Sequence, residues 1–330
     1  MINDKPKPFV DYDSWGRRRP WREKKLQNMD YGTYLEMLYF KKAARVKLCG
    51  DILEFTEDST GKRKLVSAWF CHSRLCPLCN WRRSLKSVWQ LTQILEEAHK
   101  EEPKARFIFL TLTEQNAEGN ELRNRIQNFS RAFFNLIRRK VIKQFLLGYV
   151  RSLEITIKDL PDGGVTYHHH YHVLLMVKST YFKSKQNYLS QAKWTELWQD
   201  VMDLDYTPIV NVEAVRPNRR KGTNSLVASA TETAKYQVKP ADYLTARETG
   251  EKGQVERDLQ VVDTLERALA GVRQISFGGL LKQVRKDLQL DDVEDGDLVH
   301  TSNDDEVSNE VRRIIAKWNA SKGNYFVSED

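Results

Sequence analysis

Long apolar runs are missing from this chain. None approaches the roughly 20 residues needed to cross a bilayer, and Met1 to Pro20 lacks the apolar core of a secretory signal. Cysteine is scarce, with four among 330 residues. Without a secretory signal, so few thiols suit a reducing cytoplasm better than a disulfide scaffold. No glycine-rich phosphate loop is visible, so nothing suggests a nucleotide-driven motor within the chain. Internal repeats are missing too. Acidic residues are sparse relative to basic ones, 45 against 53, giving a net charge of +8. They are also unevenly spread. Residues 287–310 hold ten acidic side chains and no Lys or Arg, so the rest of the chain carries ten more positive charges than the net value. A body this basic suits a polyanionic partner. The acidic stretch reads as a solvated linker.

What is present is a globular composition, 40% apolar, and an order of elements that can be read from periodicity. Residues 1–48 form a basic arm containing Arg17-Arg18-Arg19, Arg22, Lys24 and Lys25. Residues 49–103 form a small hairpin module, with strands near 51–56 and 64–70, followed by a helix over 81–99. Residues 104–250 then run strand (106–113), helix (121–145), strand (148–158), strand (165–177), helix (187–202), strand (208–215). This is β-α-β-β-α-β, the split βαβ order of ferredoxin-like sheets, in which the first and third strands are central neighbours. A further helix is expected over 225–238. Residues 251–330 read as helices around Phe277-Gly278-Gly279 and over 307–318, with the acidic linker 287–310 among them. The class is α+β.

Two clusters carry chemistry. Cys76-Pro77-Leu78-Cys79 is a C-x-x-C turn; Cys71 lies just before it, and Cys49 sits at the other end of the hairpin. Four thiolates at two points of a small hairpin suit structural Zn2+, and His72 is a possible substitute for one sulfur. Arg82, Arg83 and Lys86, on the helix that follows, are expected to contact DNA. The second cluster is His168-His169-His170-Tyr171-His172, leading into Val173-Leu174-Leu175-Met176-Val177. Strand side chains alternate, so His168, His170 and His172 share one face. Folding about the turn at 162–164 brings Glu154 opposite Tyr171, give or take one residue. Two imidazoles and a carboxylate with open positions suit a catalytic divalent ion. Thr111 and Thr113 on the neighbouring strand are nearby, although threonines there more often pack than ligate. On the helix after the fourth strand, Glu232 and Tyr236 are four residues apart and share a face, with Lys235 and Lys239 alongside. A phenol needs positive charge or a polarised target to act as a nucleophile near neutral pH.

Four segments together resemble the rolling-circle plasmid replication initiators of Gram-positive bacteria, in the HUH endonuclease superfamily. They are Phe70 to Ser84, Phe109 to Thr113, His168 to Leu175, and Glu232 to Tyr243. Many relatives have Pro where this chain has His169, which leaves the His170-Tyr171-His172 motif intact and makes His168 an auxiliary ligand at most. The resemblance implies an HUH palm with a central antiparallel sheet and a nucleophile helix, preceded by a zinc-ribbon module and followed by helices. It implies Mg2+ or Mn2+ on His170, His172 and Glu154, and Zn2+ on Cys49, Cys71, Cys76 and Cys79. Tyr236 would attack a DNA phosphate to give a 5′-phosphotyrosyl link and a priming 3′-OH. Glu232 would activate water for termination, and Tyr243 is the second candidate nucleophile. Lys235 and Lys239 would meet DNA with the three cations named above. Expected partners are the plasmid double-strand origin, held covalently through Tyr236, and the host's helicase, DNA polymerase and single-strand-binding protein. The expected location is the bacterial cytoplasm, with no membrane partner. Two other classes remain: another enzyme of the superfamily, such as a single-strand transposase or relaxase, and a non-catalytic zinc-ribbon DNA-binding regulator.

Overall fold

The computed structural model describes residues 7–183, 187–215, 230–231, 233, 238–246, 252–302 and 311–328. In chain order the elements are α1 (Trp21–Met37), α2 (Ala43–Lys47), β1 (Ile52–Asp58), β2 (Arg63–Ala68), α3 (Pro77–Glu101), β3 (Arg106–Thr113), α4 (Leu122–Arg138), α5 (Lys140–Lys143), β4 (Leu146–Asp159) and β5 (Val165–Val177). They continue with α6 (Thr180–Lys183), α7 (Gln191–Met202), β6 (Val210–Ala214), α8 (Pro240–Tyr243), α9 (Lys252–Ala268), β7 (Ile275–Gly279), α10 (Leu280–Asp287), β8 (Val311–Asn319) and β9 (Asn324–Ser328). The chain forms two compact units. One comprises Met1–Lys86, Tyr243–Asp263 and Asp291–Asp330; the other comprises Ser87–Asp242 and Thr264–Leu290.

The unit containing the histidines is built on a sheet of order β6-β3-β5-β4-β7, antiparallel throughout. Its first four strands follow the split βαβ order, with β3 and β5 as central neighbours. Strand β5 shows why. Val173 to Val177 are buried on both faces, as a central strand requires, so alternation disappears there. One face packs on α4 and α7: the ring of Phe129 lies 4.6 Å from that of Tyr171 and 4.9 Å from that of Trp198. The other face is apolar at one end, where Leu174 and Met176 join Leu91, Ile94 and Leu95 of α3 and Leu281 and Val284 of α10. At the other end of that face stand His168, His170 and His172.

The C-terminal expectation needs correction. The segment around Phe277-Gly278-Gly279 is strand β7, which adds to the edge of the sheet beside β4. Glycine is required here because a Cβ on Gly278 would fall 2.1 Å from the Tyr149 ring, and Gly279 turns the chain into α10 at φ +58°. The helix expected over 307–318 is not found among its described residues: Val311–Asn319 form strand β8. Buried Ile314 and Ala316 alternate with exposed Arg313 and Lys317, a period of two that a helix would not give. Strand β8 pairs with β1 and with β9, so the other unit has a sheet of order β2-β1-β8-β9. The C-terminal segment is thus shared between the units and does not form a helical region of its own.

The basic arm is also different in kind. From Trp21 it is helix α1, and Trp21 is buried, edge-on to Phe55 and Trp81. The described part of the acidic stretch is not a solvated linker. The Leu298 and Val299 carbonyls accept from the Arg82 guanidinium at 2.9 and 2.6 Å, and the Glu294 carbonyl accepts from Arg83. Asp291 pairs with Lys86, and Glu294 pairs with Arg74 at 2.7 Å. Residues Arg82, Arg83 and Lys86 are buried, at 1%, 5% and 3% exposure. Their expected role as DNA-facing cations is therefore corrected. Helical periodicity placed them correctly on α3 but could not tell that the chain's own carbonyls and carboxylates would occupy them.

The Arg82 guanidinium also lies over the rings of Trp21 and Trp81, at 5.4 and 5.5 Å. Removing it takes a donor from the buried Leu298 carbonyl and from the half-buried Val299 carbonyl. Arg82→Ala should lower the unfolding free energy by about 3 kcal/mol. Arg82→Lys should recover less than half of this, because an ammonium neither forks nor stacks. Urea titration followed by tryptophan fluorescence reads both.

Candidate metal centres

The first centre is set by strand register. In the β4–β5 ladder Glu154 lies directly opposite His170, with Ser152 opposite His172; on the other side of β5, Thr111 faces His172 and Thr113 faces His170. Directly paired residues point to the same face, so the carboxylate and both imidazoles converge. Glu154 Oε2 lies 3.0 Å from His172 Nε2 and 3.5 Å from His170 Nε2. All three ligand atoms fall within 4.8 Å of one another. Glu154 and His170 are buried, and His172 is half-buried. Burial pushes the Glu154 carboxyl upward, but hydrogen bonds and charge from His170 and His172 outweigh it and hold the group well below the usual carboxylate range. The Nδ1 atoms of both histidines are buried without a hydrogen-bond partner among the described residues. Two neutral nitrogens and one carboxylate are a borderline-to-hard donor set that leaves coordination positions open. The three residues fit a divalent ion.

The rest of the neighbourhood sorts by distance. The His168 ring stacks on that of His170 at 5.3 Å, outside the converging group. Thr113 is engaged in packing: its hydroxyl donates to the Ile209 carbonyl at 2.8 Å, and its own carbonyl accepts from Trp198 Nε1. Lys239 Nζ lies 3.9 Å from Glu154 Oε1 on an exposed side chain. Glu232, Tyr236 and Lys235 lie outside the described residues, as does most of the helix expected over 225–238. Tyr243 is fully buried, and its hydroxyl donates to the Leu75 carbonyl, so it is not presented to any substrate.

On the opposite face of β5, His169 is fully buried. Its Nε2 contacts Glu114 Oε1 at 2.5 Å, and its ring meets the edge of Phe129. Sequence reasoning missed this pair. Its only signal was a histidine at an odd position of a strand whose even positions carried the metal pattern.

The second centre lies in the other unit. Cys49, Cys71, Cys76 and Cys79 are all buried. Their Sγ atoms are 3.5 Å (Cys49–Cys79), 3.6 Å (Cys71–Cys79) and 3.7 Å (Cys49–Cys76) apart. Such spacings exclude disulfides, in which sulfurs are about 2.05 Å apart. They approach the edge of a tetrahedron with metal–sulfur bonds of about 2.3 Å, an edge of about 3.8 Å. Burial drives the Cys49 and Cys79 thiols well above their usual range. For Cys76 burial is outweighed by hydrogen bonds from the other three, which hold it well below. Asn28 Nδ2 donates to the Cys76 sulfur at 3.3 Å, and the Cys71 amide donates to that of Cys49. A closed set of four soft donors fits a structural metal. His72 is not a member of the group.

Comparison with known proteins bears on what these centres serve. A family model described as "Replication protein" matches residues 62–326. A "Protein rep" of Lentilactobacillus hilgardii is 54% identical over 94% of this chain and 96% of its own length. A "Protein rep" of Lactiplantibacillus plantarum is 51% identical over 97% and 98% of the two chains. Another from Streptococcus pneumoniae is 41% identical over 97% and 96%. No solved structure matches. With the family model covering most of the chain and the relatives aligned along nearly all of it, the chain belongs to the replication-protein (Rep) family of Gram-positive plasmids.

Proposed function

We propose that this Rep protein starts rolling-circle replication of its plasmid by nicking the double-strand origin and holding the cut strand covalently. The observation that carries the reading is the convergence of Glu154, His170 and His172 on one face of the sheet. These residues would hold Mg2+ or Mn2+, which when bound would polarise the scissile phosphate. Tyr236 supplies the nucleophile. Its phenolic oxygen bonds to phosphorus, the bond to the 3′ oxygen breaks, and that oxygen leaves with a proton as the 3′-OH that primes synthesis. The phosphotyrosyl link keeps the phosphodiester energy, so the strand can be rejoined. Glu232, four residues before Tyr236 in the sequence, takes a proton from water for the terminating hydrolysis. Lys235 and Lys239 offset the phosphate's charge; Lys239 stands beside Glu154. Unwinding and synthesis fall to a host helicase, polymerase and single-strand-binding protein. That work belongs in the cytoplasm, and no helix among the described residues is long and apolar enough to cross a membrane.

Supercoiled plasmid carrying the cognate origin, incubated with protein and Mg2+ or Mn2+ and run without protease, should give relaxed circles bearing bound protein. Tyr236→Phe should abolish the adduct while leaving DNA affinity nearly unchanged; binding with no nicking by the native chain would make it a regulator instead. Glu154→Gln should reduce nicking at limiting metal by more than the roughly 10- to 100-fold that outer-shell changes cost. Glu232→Ala should keep nicking but yield strands longer than unit length.

We also infer that the cysteine cluster holds Zn2+. Elemental analysis should find one zinc per chain, and Cys79→Ser should lose it. Because metal binding there is coupled to folding, a strong chelator should lower the melting temperature of the native protein but not of the variant.

A further inference from the structure

The β2-β1-β8-β9 sheet has two unlike faces. The inner one carries Leu53, Phe55, Leu65, Ile314, Ala316 and Tyr325, all buried. The outer one follows from the register. Ile52 pairs with Lys317, and Lys317 with Phe326, so these three point outward in one row. Trp69 extends that row on the other side of Ile52, one residue past Ala68, which pairs with Leu53. Trp69 is 50% exposed and Ile52 48%. Neighbouring strands are about 4.8 Å apart, so the row from β2 to β9 spans about 14 Å.

Cations lie on the same face. Lys317 sits within the row, Lys322 Nζ lies 4.8 Å from the Phe326 ring centre, and Lys64 and Arg313 stand farther along the face, in the row of Thr56 four residues from Ile52. The acids on this face are engaged. Glu54 pairs with Arg313 at 2.7 Å, and Asp58 accepts from the Thr60 and Lys62 amides in the hairpin turn. An exposed tryptophan and a half-buried phenylalanine on one face of an antiparallel sheet, with lysines beside them, suit a polyanion with free aromatic faces. Single-stranded DNA has both. A duplex hides the faces of its bases in the stack, so aromatic side chains can stack only on bases that are unpaired. We propose that this outer face is a binding platform for single-stranded DNA, with bases stacking on Trp69 and Phe326 and phosphates meeting Lys317, Lys322 and Lys64. It requires neither Tyr236 nor the histidine centre.

The test uses the full-length chain without divalent metal, so it is independent of nicking. Anisotropy of a labelled oligo(dT) should show Trp69→Ala and Phe326→Ala each weakening single-strand affinity roughly 5- to 100-fold, with Trp69→Phe restoring much of it. Lys317→Ala should lower the slope of log affinity against log salt by about 0.7. Affinity for a duplex of the same length should change less than twofold. Lys317→Glu with Lys322→Glu gives a second route that leaves the aromatic rings in place, and thermal melting confirms that each variant is folded. Unchanged oligo(dT) affinity in the folded variants, or an equal loss for duplex, would overturn the proposal. So would a concentration-dependent dimer that Trp69→Ala abolishes, which would make a second copy of the chain the occupant.

Discussion

The register between β4 and β5 is the constraint on which the histidine centre rests. Strand side chains alternate with a period of two, so a slip of one residue would turn Glu154 onto the face of Phe129 and Tyr171. The carboxylate would then be buried among aromatic rings, and the two imidazoles would lose their acidic partner. The apolar run Val173 to Val177 guards against that slip. It is buried on both faces, and Leu174 and Met176 must meet α3 and α10 while Tyr171 meets α4. The ladder's irregularity lies at Leu146/Gly148, far from the metal-facing pairs. Core packing at one end of the strand thereby positions the chemistry at the other.

The two centres differ as their donors do. Four sulfurs form a closed shell with no position left for a substrate, which suits a purely structural ion. Two nitrogens and a carboxylate leave positions open, which suits chemistry on a phosphate. The depressed Glu154 carboxyl belongs to this picture. It stays ionised among buried neighbours because the imidazoles hold it so.

Charge tells a less direct story. The net excess of Lys and Arg suggested a polyanion, yet some of the most suggestive cations are interior. Arg82 and Arg83 bond to backbone carbonyls and Lys86 pairs with Asp291, while the cations around Trp69 and Phe326 face outward. Burying a guanidinium is tolerable where its donors find acceptors; residues 294–299 provide acceptors for Arg82 and Arg83, and His72, Ser73 and Asn80 provide further ones for Arg83. A run of acidic residues that reads as a solvated linker is here part of the packing of a helix more than 200 residues earlier in the chain.

Local pattern determined a good deal. Alternation in β5 put His168, His170 and His172 on one face, the turn at 162–164 brought Glu154 within one residue of its observed partner, and C-x-x-C spacing picked out the four thiols. The β-α-β-β-α-β order came from periodicity alone. These features depend on neighbours in sequence or on a single hairpin, so the chain carries them locally. Tertiary structure decided what needs distant partners: that residues 275–279 and 311–319 are strands completing two sheets, that Arg82, Arg83 and Lys86 are interior, and that His169 meets Glu114. Whether a segment joins a sheet edge, and whether a cation faces water or a carbonyl, depends on groups brought together only by folding, and no window of sequence contains both members of such a pair.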